Sequence, residues 1–351
     1  MSDYYISQIT PDDRRGSVLL DQLLEAEGIR RDSNLDYTCG MFDDEARLIA
    51  TGSCFANTLR CMAVSSAHQG EGLMNQIMTH LMEVQVMRGN THLFMYTKCS
   101  SARFFEDLGF YEIARVEGHV VFMENRRAGF SNYLEGLKAS SPAPADGQRT
   151  AALVMNANPF TLGHQYLTEK ASAENDLLHL FLVSEDASLV PFPIRKELVL
   201  KGTAHLANLV LHDSGPYIIS SATFPSYFQK DEDAVIESHA RLDLAVFKKI
   251  AKALGITRRY VGEEPFSQVT GIYNRIMSSE LPKEGIDCIV VPRRQLDGQA
   301  ISASAVRQAI KNGDFGRLHT LVPQGTYDYF ASQEARPVIE RIKAAGDVVH
   351  Y

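Results

Sequence analysis

The chain has 351 residues, 45% hydrophobic and 22% charged, enough for two domains that each bury a core and unlike a disordered or fibrous composition. Its net charge of −8, without a block of basic residues, argues against general nucleic-acid binding. Cys39, Cys54, Cys61, Cys99 and Cys288 form no Cys-x-x-Cys pair, no apolar run nears the roughly 18 residues of a membrane span, and the start lacks a signal-peptide profile, so a reducing, cytoplasmic setting is expected.

In chain order, residues 1–138 alternate apolar strand patterns at 4–9, 48–53, 61–64, 92–96 and 120–123 with helical patterns at 17–27, 72–88 and 101–108. This predicts an α+β domain with mostly antiparallel pairing. The acidic excess concentrates here. Residues 1–140 hold 13 basic against 19 acidic side chains, so an anion bound in this half would depend on backbone donors. Residues 139–149, small, polar and punctuated by proline, read as a linker.

Residues 150–351 form the second predicted domain. Short apolar runs at 151–155, 177–184, 209–212, 259–262 and 286–291 have the profile of strands buried on both faces. Helical patterns lie between them at 165–175, 195–207, 233–254 and 270–279, and another begins near Ser304. Five strand–helix units imply a Rossmann-like, doubly wound parallel sheet with its ligand beyond the carboxyl ends of the strands. A last helical pattern at 335–345 reads as packing.

Two segments of this half carry chemistry. Met155-Asn156-Ala157-Asn158-Pro159-Phe160-Thr161-Leu162-Gly163-His164 runs from the first strand into a helix, where backbone N–H groups and a helix N-terminus make an anion site. Gly163 lets a phosphate approach the backbone, Thr161 offers a hydroxyl, and His164 can donate to phosphate oxygens as charge develops. Ile301-Ser302-Ala303-Ser304-Ala305-Val306-Arg307 follows the last strand, with Ser302 and Ser304 at a helix N-terminus and Arg307 one turn in. Read singly, each segment is equally a capped helix with an exposed side chain. Arg195, Lys196 and Lys230 are further cations that could reach a triphosphate or acetate, with a solvated surface charge as the competing reading. Gly262 and Glu263, after the fourth strand, are candidates to meet adenosine through backbone groups. The scattered histidines lack metal-ligand spacing, and no metal-binding residues are expected.

Thr-x-Gly-His and Ile-Ser-x-Ser-x-x-Arg resemble the two signatures of the nucleotidyltransferase superfamily, which cleaves nucleoside triphosphates between the α- and β-phosphates. Asn158 stands where many members carry Asp. In the front half, Gln69-Gly70-Glu71-Gly72-Leu73-Met74 resembles the pyrophosphate loop of GNAT acetyltransferases, and Ala102-Arg103-Phe104-Phe105-Glu106-Asp107-Leu108-Gly109-Phe110 resembles their later Phe-Tyr-x-x-x-Gly-Phe segment. Phe105 stands where a tyrosine general acid is common. It cannot donate a proton, which argues against independent acetyl transfer.

Together with Gly262-Glu263-Glu264-Pro265-Phe266, these motifs resemble the citrate lyase ligase family over nearly the whole chain. The resemblance implies ATP and Mg²⁺ as cofactors. It implies acetylation, by acetate, of the prosthetic-group thiol on the citrate lyase acyl carrier protein through an acetyl-adenylate, with release of AMP and diphosphate. Thr161, His164 and Arg307 would be catalytic. Asn156, Asn158, Gly163, Gly262, Glu263, Ser302, Ser304, Arg195, Lys196 and Lys230 would bind the cofactor. The front domain would hold the coenzyme-A-like arm of the carrier. The rival reading is a small-metabolite adenylyltransferase of the phosphopantetheine or nicotinamide mononucleotide type.

Overall fold

In a computed structural model, residues 4–184, 188–218, 232–263, 268–296 and 298–346 are described. Lys230 and the stretch Glu264–Phe266 lie outside them. The chain divides into two compact units, Met1–Asn132 with Phe224–Ala245, and Tyr133–Thr223 with Val246–Tyr351.

The first unit carries β1 (Tyr5–Gln8), α1 (Arg14–Ala26), β2 (Tyr37–Phe42), β3 (Leu48–Phe55), β4 (Thr58–Val64), α2 (Leu73–Met87), β5 (Phe94–Thr97), α3 (Ala102–Asp107), β6 (Tyr111–Val116) and β7 (Val120–Glu124). They form one seven-stranded sheet in the order β1-β2-β3-β4-β5-β7-β6. Its pairs are antiparallel except β4 with β5. Those two strands pair in register only at Thr58–Phe94 and Leu59–Met95. Cys61 takes a φ of 48°, and the register of β3 against β4 shifts between Thr51 and Ser53, an irregularity of the kind that bends a strand. A cavity of about 690 Å³ is lined by the ends of β4 and β5, the glycine loop and the start of α2. Gly70 and Gly72 both have positive φ, so this turn into α2 suits residues without a Cβ. This is a GNAT-like α+β unit, as the motifs predict.

The helix α4 (Gly129–Ala139) follows, with the second unit beginning at Tyr133 within it, and coil from 140 to 149 leads on to the next strand. Along the chain from there, β8 (Thr150–Met155), α5 (Leu162–Ala173), β9 (Leu177–Leu182), α6 (Phe192–Thr203), β10 (Leu209–Asp213), α7 (Glu232–Leu254, grouped with the first unit as far as Ala245), β11 (Arg258–Gly262), α8 (Gln268–Glu280) and β12 (Asp287–Val291) alternate. The sheet order β10-β9-β8-β11-β12 is parallel throughout. Successive strands first add outward from β8 to β10, and the chain then returns to place β11 on the other side of β8. That reversal is the topological switch at which ligands bind in such sheets. All six residues of β9 are buried, as expected for a strand covered on both faces.

A short hairpin, β13 (Gln295–Leu296) with β14 (Gln299–Ala300), precedes α9 (Ala303–Asn312), α10 (Phe315–Leu321), α11 (Gln324–Ala331) and α12 (Arg336–Ala344). Ser302 caps α9 by accepting from the Ala305 N–H, and Gly313 ends it in the left-handed region. Val306, Ala309 and Ile310 of α9 join Leu153, Leu180 and Phe160 in one core. The helices α10 and α11 stand where the sequence predicts no element before 335–345. Among the described residues, no helix is long and apolar enough to cross a membrane.

Candidate functional site

The loop after β8 is built from its anchors outward. The Asn158–Pro159 bond is cis, and Phe160 is fully buried. A Cβ on Gly202 of α6 would lie 2.4 Å from the Phe160 ring, so the glycine makes room for that anchor. Thr161 caps α5 reciprocally. Its Oγ1 accepts from the His164 N–H at 3.2 Å, and its own N–H donates to His164 Nδ1 at 3.1 Å. The Phe160 and His164 rings stack at 5.8 Å.

This geometry fixes the imidazole tautomer. Because Nδ1 accepts, the neutral ring carries its proton on Nε2. Burial, and secondarily the Arg293 guanidinium, push His164 down to about 4. At neutral pH it is therefore an uncharged donor.

The second motif meets the first directly. Arg307 is buried, donating from Nη1 to the Asn158 carbonyl at 2.7 Å and from Nη2 to Ser304 Oγ at 3.1 Å. Burial lowers its pKa. Asn158 Oδ1 accepts from the Val190 N–H at 2.9 Å, which fastens the loop on its other side. A Cβ on Gly163 would come 2.8 Å from the Ile301 carbonyl oxygen. That close approach is to the protein's own backbone, a contact the sequence alone does not predict for Gly163.

Arg195, Lys196, Gly262 and Glu263 each have partners within the protein. Arg195 is neither solvated nor turned to a ligand. It is fully buried, donating from Nε to the Val190 carbonyl and from Nη1 to those of Asn156 and Val183. Carbonyls left without a ladder partner where strands end need donors when buried, and the guanidinium fork supplies several at once. Lys196 is bound to Asp213 at the end of β10 at 2.8 Å. Gly262 and Glu263 already use backbone groups: the Gly262 carbonyl accepts from Asn274 Nδ2, and the Glu263 N–H donates to Val291. Asn156 is exposed, its Oδ1 accepting from Ser188 Oγ at 3.1 Å.

Sequence reasoning missed Arg293. Two residues beyond β12, it is half-buried and donates from Nε to the Glu263 carbonyl at 2.8 Å. Neither signature includes it, and a lone Arg-Arg pair after a strand carries no pattern. Thus Thr161, Gly163, His164, Asn158, Ser302, Ser304 and Arg307 gather at the carboxyl ends of β8, β11 and β12, with Arg293 beside them.

The family described as citrate lyase ligase C-terminal domain matches residues 150–330. The citrate (pro-3S)-lyase ligase of Escherichia coli (strain K12) is 38% identical over 314 residues, covering 88% of each chain. That of Haemophilus influenzae is 36% identical, covering 89% of this chain and 94% of its own. A solved acetyltransferase of the GNAT family from Staphylococcus aureus is similar at 11% identity with a TM-score of 0.31, over 35% of this chain and 98% of that one. The chain, two motifs locked together at the switch point of its parallel sheet, belongs to the citrate lyase ligase family and is an enzyme.

Proposed function

We propose that the second unit activates acetate with ATP and passes the acetyl group to the prosthetic-group thiol of the citrate lyase acyl carrier protein, activating citrate lyase. A carboxylate oxygen of acetate attacks the α-phosphorus, the bond to the bridging oxygen breaks, and diphosphate leaves. The carrier sulfur then attacks the acetyl carbon, AMP departs, and the thiol proton passes to solvent. Acetate is ionised at neutral pH, so the first step needs no general base.

The observation that carries this reading is the Arg307–Asn158 hydrogen bond between the two motifs, which closes one anion-binding corner from segments 149 residues apart. At that corner the N-termini of α5 and α9 supply N–H groups and positive dipole ends for the departing diphosphate. His164 supplies an uncharged Nε2–H donor that costs no proton transfer as charge develops. Arg307 supports them by fixing the loop and lending its charge at close range.

Among the described residues no three His, Cys, Asp or Glu side chains stand together to hold a metal ion. Mg²⁺, which the resemblance implies, would find no such set of protein ligands among those residues.

For residues 1–138 we assign binding of the carrier's coenzyme-A-like arm to the cavity beside α2, whose apolar lining includes Met62, Met74 and Phe104 and whose glycine loop presents backbone donors. Residues 139–149 would join it to the adenylating domain, 150–351. The test is acetate-dependent exchange of labelled diphosphate into ATP, followed by addition of holo-carrier. Exchange without carrier, then AMP and a thioester with it, supports the reading. A stable dinucleotide product in place of AMP would establish the rival adenylyltransferase.

A further inference from the structure

Binding of the carrier's arm by the first unit does not by itself bring its sulfur to the acetyl-adenylate, so the second unit must receive the thiol end. Within that unit, α4, α6 and β10 surround a cavity of about 290 Å³. Tyr133, Gly136 and Leu137 line it from α4, Lys196 from α6, and Leu211, His212 and Asp213 from β10.

The sheet register fixes where this cavity lies. Asp213 of β10 pairs with Leu182 of β9, and Leu182 pairs with Met155 of β8. Its β10 wall is therefore level with the residue that opens the signature loop. Neighbouring strands run about 4.8 Å apart, which puts β10 roughly 10 Å from β8.

The chemistry of the lining follows from a buried pair. His179 Nδ1 and His212 Nε2 are 2.9 Å apart, and burial pushes each ring down to about 4, so both are uncharged at neutral pH. Among the described residues, His179 Nε2 is buried without a hydrogen-bond partner. A buried N–H lacking an acceptor is the rarer orphan, so the shared proton belongs to His179 Nδ1 and is donated to His212 Nε2. That leaves the proton of His212 on Nδ1, the nitrogen not taken by His179, as a neutral donor at the cavity.

Lys196 and Asp213 pair at 2.8 Å, so the lining is uncharged on balance while it holds donors and a carboxylate acceptor side by side. A free carboxylate such as acetate would meet the charge of Asp213. An amide suits the place better. Its C=O matches the donors, its N–H the carboxylate, and its flanking methylenes Leu137, Leu211 and the Tyr133 ring. A coenzyme-A-like arm carries two amides behind its thiol, both within about 10 Å of the sulfur when extended.

We propose that this cavity receives an amide of the carrier's arm and holds its thiol at the signature loop for attack on the acetyl-adenylate. The sulfur–acetyl bond forms, the acetyl–oxygen bond to AMP breaks, and the thiol proton passes to solvent. This rests on the ATP-dependent reading above and adds the berth that the second unit provides.

Gly136 is exposed, with open space around the position of its Cβ, so a larger side chain there enters the cavity and leaves the core alone. In the full chain, Gly136→Phe should raise KM for holo-carrier, and for pantetheine as a free thiol, at least tenfold. Acetate-dependent exchange of labelled diphosphate into ATP should stay within twofold. Gly136→Leu should act in the same direction by a smaller factor and serves if the phenylalanine variant does not fold. Gly136→Ala should match the unaltered chain. An unmoved KM for both thiols in the larger variants overturns the assignment. Equal losses of exchange and thiol transfer also overturn it, because the cavity would then serve acetate or nucleotide. Absence of exchange in the unaltered chain removes the ATP reading and the berth together, whereas normal exchange with an unmoved KM removes the berth alone.

Discussion

The carbonyl oxygen of Ile301 stands where a methyl group on Gly163 would have to go, 2.8 Å from the position of its Cβ. Both atoms belong to backbone, so neither can turn aside. Gly163→Ala therefore sets two effects against each other. Alanine favours the helix by about 0.5–1 kcal/mol, whereas forcing an extra carbon into a filled space costs about 1–3 kcal/mol. Overpacking wins, and we expect a lower denaturation midpoint together with loss of diphosphate exchange. A variant as stable and active as the parent would show that the two motifs are not in contact.

Arg307→Ala removes two hydrogen bonds made by a buried charge, to Asn158 and Ser304. With charge-assisted bonds worth about 1.5–3 kcal/mol each, a destabilisation on the order of 3 kcal/mol is expected in urea titration. Exchange should fall further than stability explains, because the loop carrying His164 loses its clamp. Arg307→Lys, able to reach one partner but not to fork, should restore part of the stability and little of the rate.

Thr161→Val removes the acceptor for the His164 N–H and should destabilise by about 1 kcal/mol, while Thr161→Ser should be close to neutral. His164→Ala should slow exchange by a factor on the order of 10². Steady-state exchange with matched melting curves separates the two effects. A rate unaffected by His164→Ala would remove the imidazole from the chemistry.

The pH dependence follows from three depressed histidines. Burial lowers His164, His179 and His212, each to about 4, against 6.5 for a free imidazole; the Arg293 charge adds at His164 and the neighbouring His212 at His179. The folded state therefore holds the proton less firmly than the unfolded chain. The stability these groups contribute is full above pH 6.5, is lost progressively as pH falls from 6.5 to 4, and declines no further from them below that. Urea midpoints measured from pH 7.5 to 4.5 should drop through that window, with a shallower slope in His164→Asn. Exchange, after correction for unfolded protein, should show no acid limb near 6.5. A limb there that vanishes on replacing His164 would mean that the ring titrates normally.

Much of the second unit was legible because strands buried on both faces leave unbroken apolar runs, as in β8 and β9, and because the two signatures mark where helices begin. The first unit was less so. β2 and β6 escaped because Tyr37–Phe42 and Tyr111–Val116 mix polar and apolar residues without a clean alternation. The helices α10 and α11 are seven and eight residues long, too short for a helical period to stand out. At the site, residue types foretold the corner but not its internal economy. Nothing in the sequence distinguishes the arginine folded among three carbonyls, Arg195, from the one that holds the Glu263 carbonyl, Arg293, because that choice is made by loop ends meeting across the sheet. Gly163 marks a place of close approach in the sequence, but nothing there names the Ile301 carbonyl as a group that needs it.

That abutment has a consequence for how such chains can diverge. The turn after β8 and the turn before α9 share one van der Waals boundary, so lengthening either by even one residue displaces the other. Changes of length in the two turns should therefore be tolerated only in matched pairs, leaving the periphery of the sheet as the place where new specificities can be added.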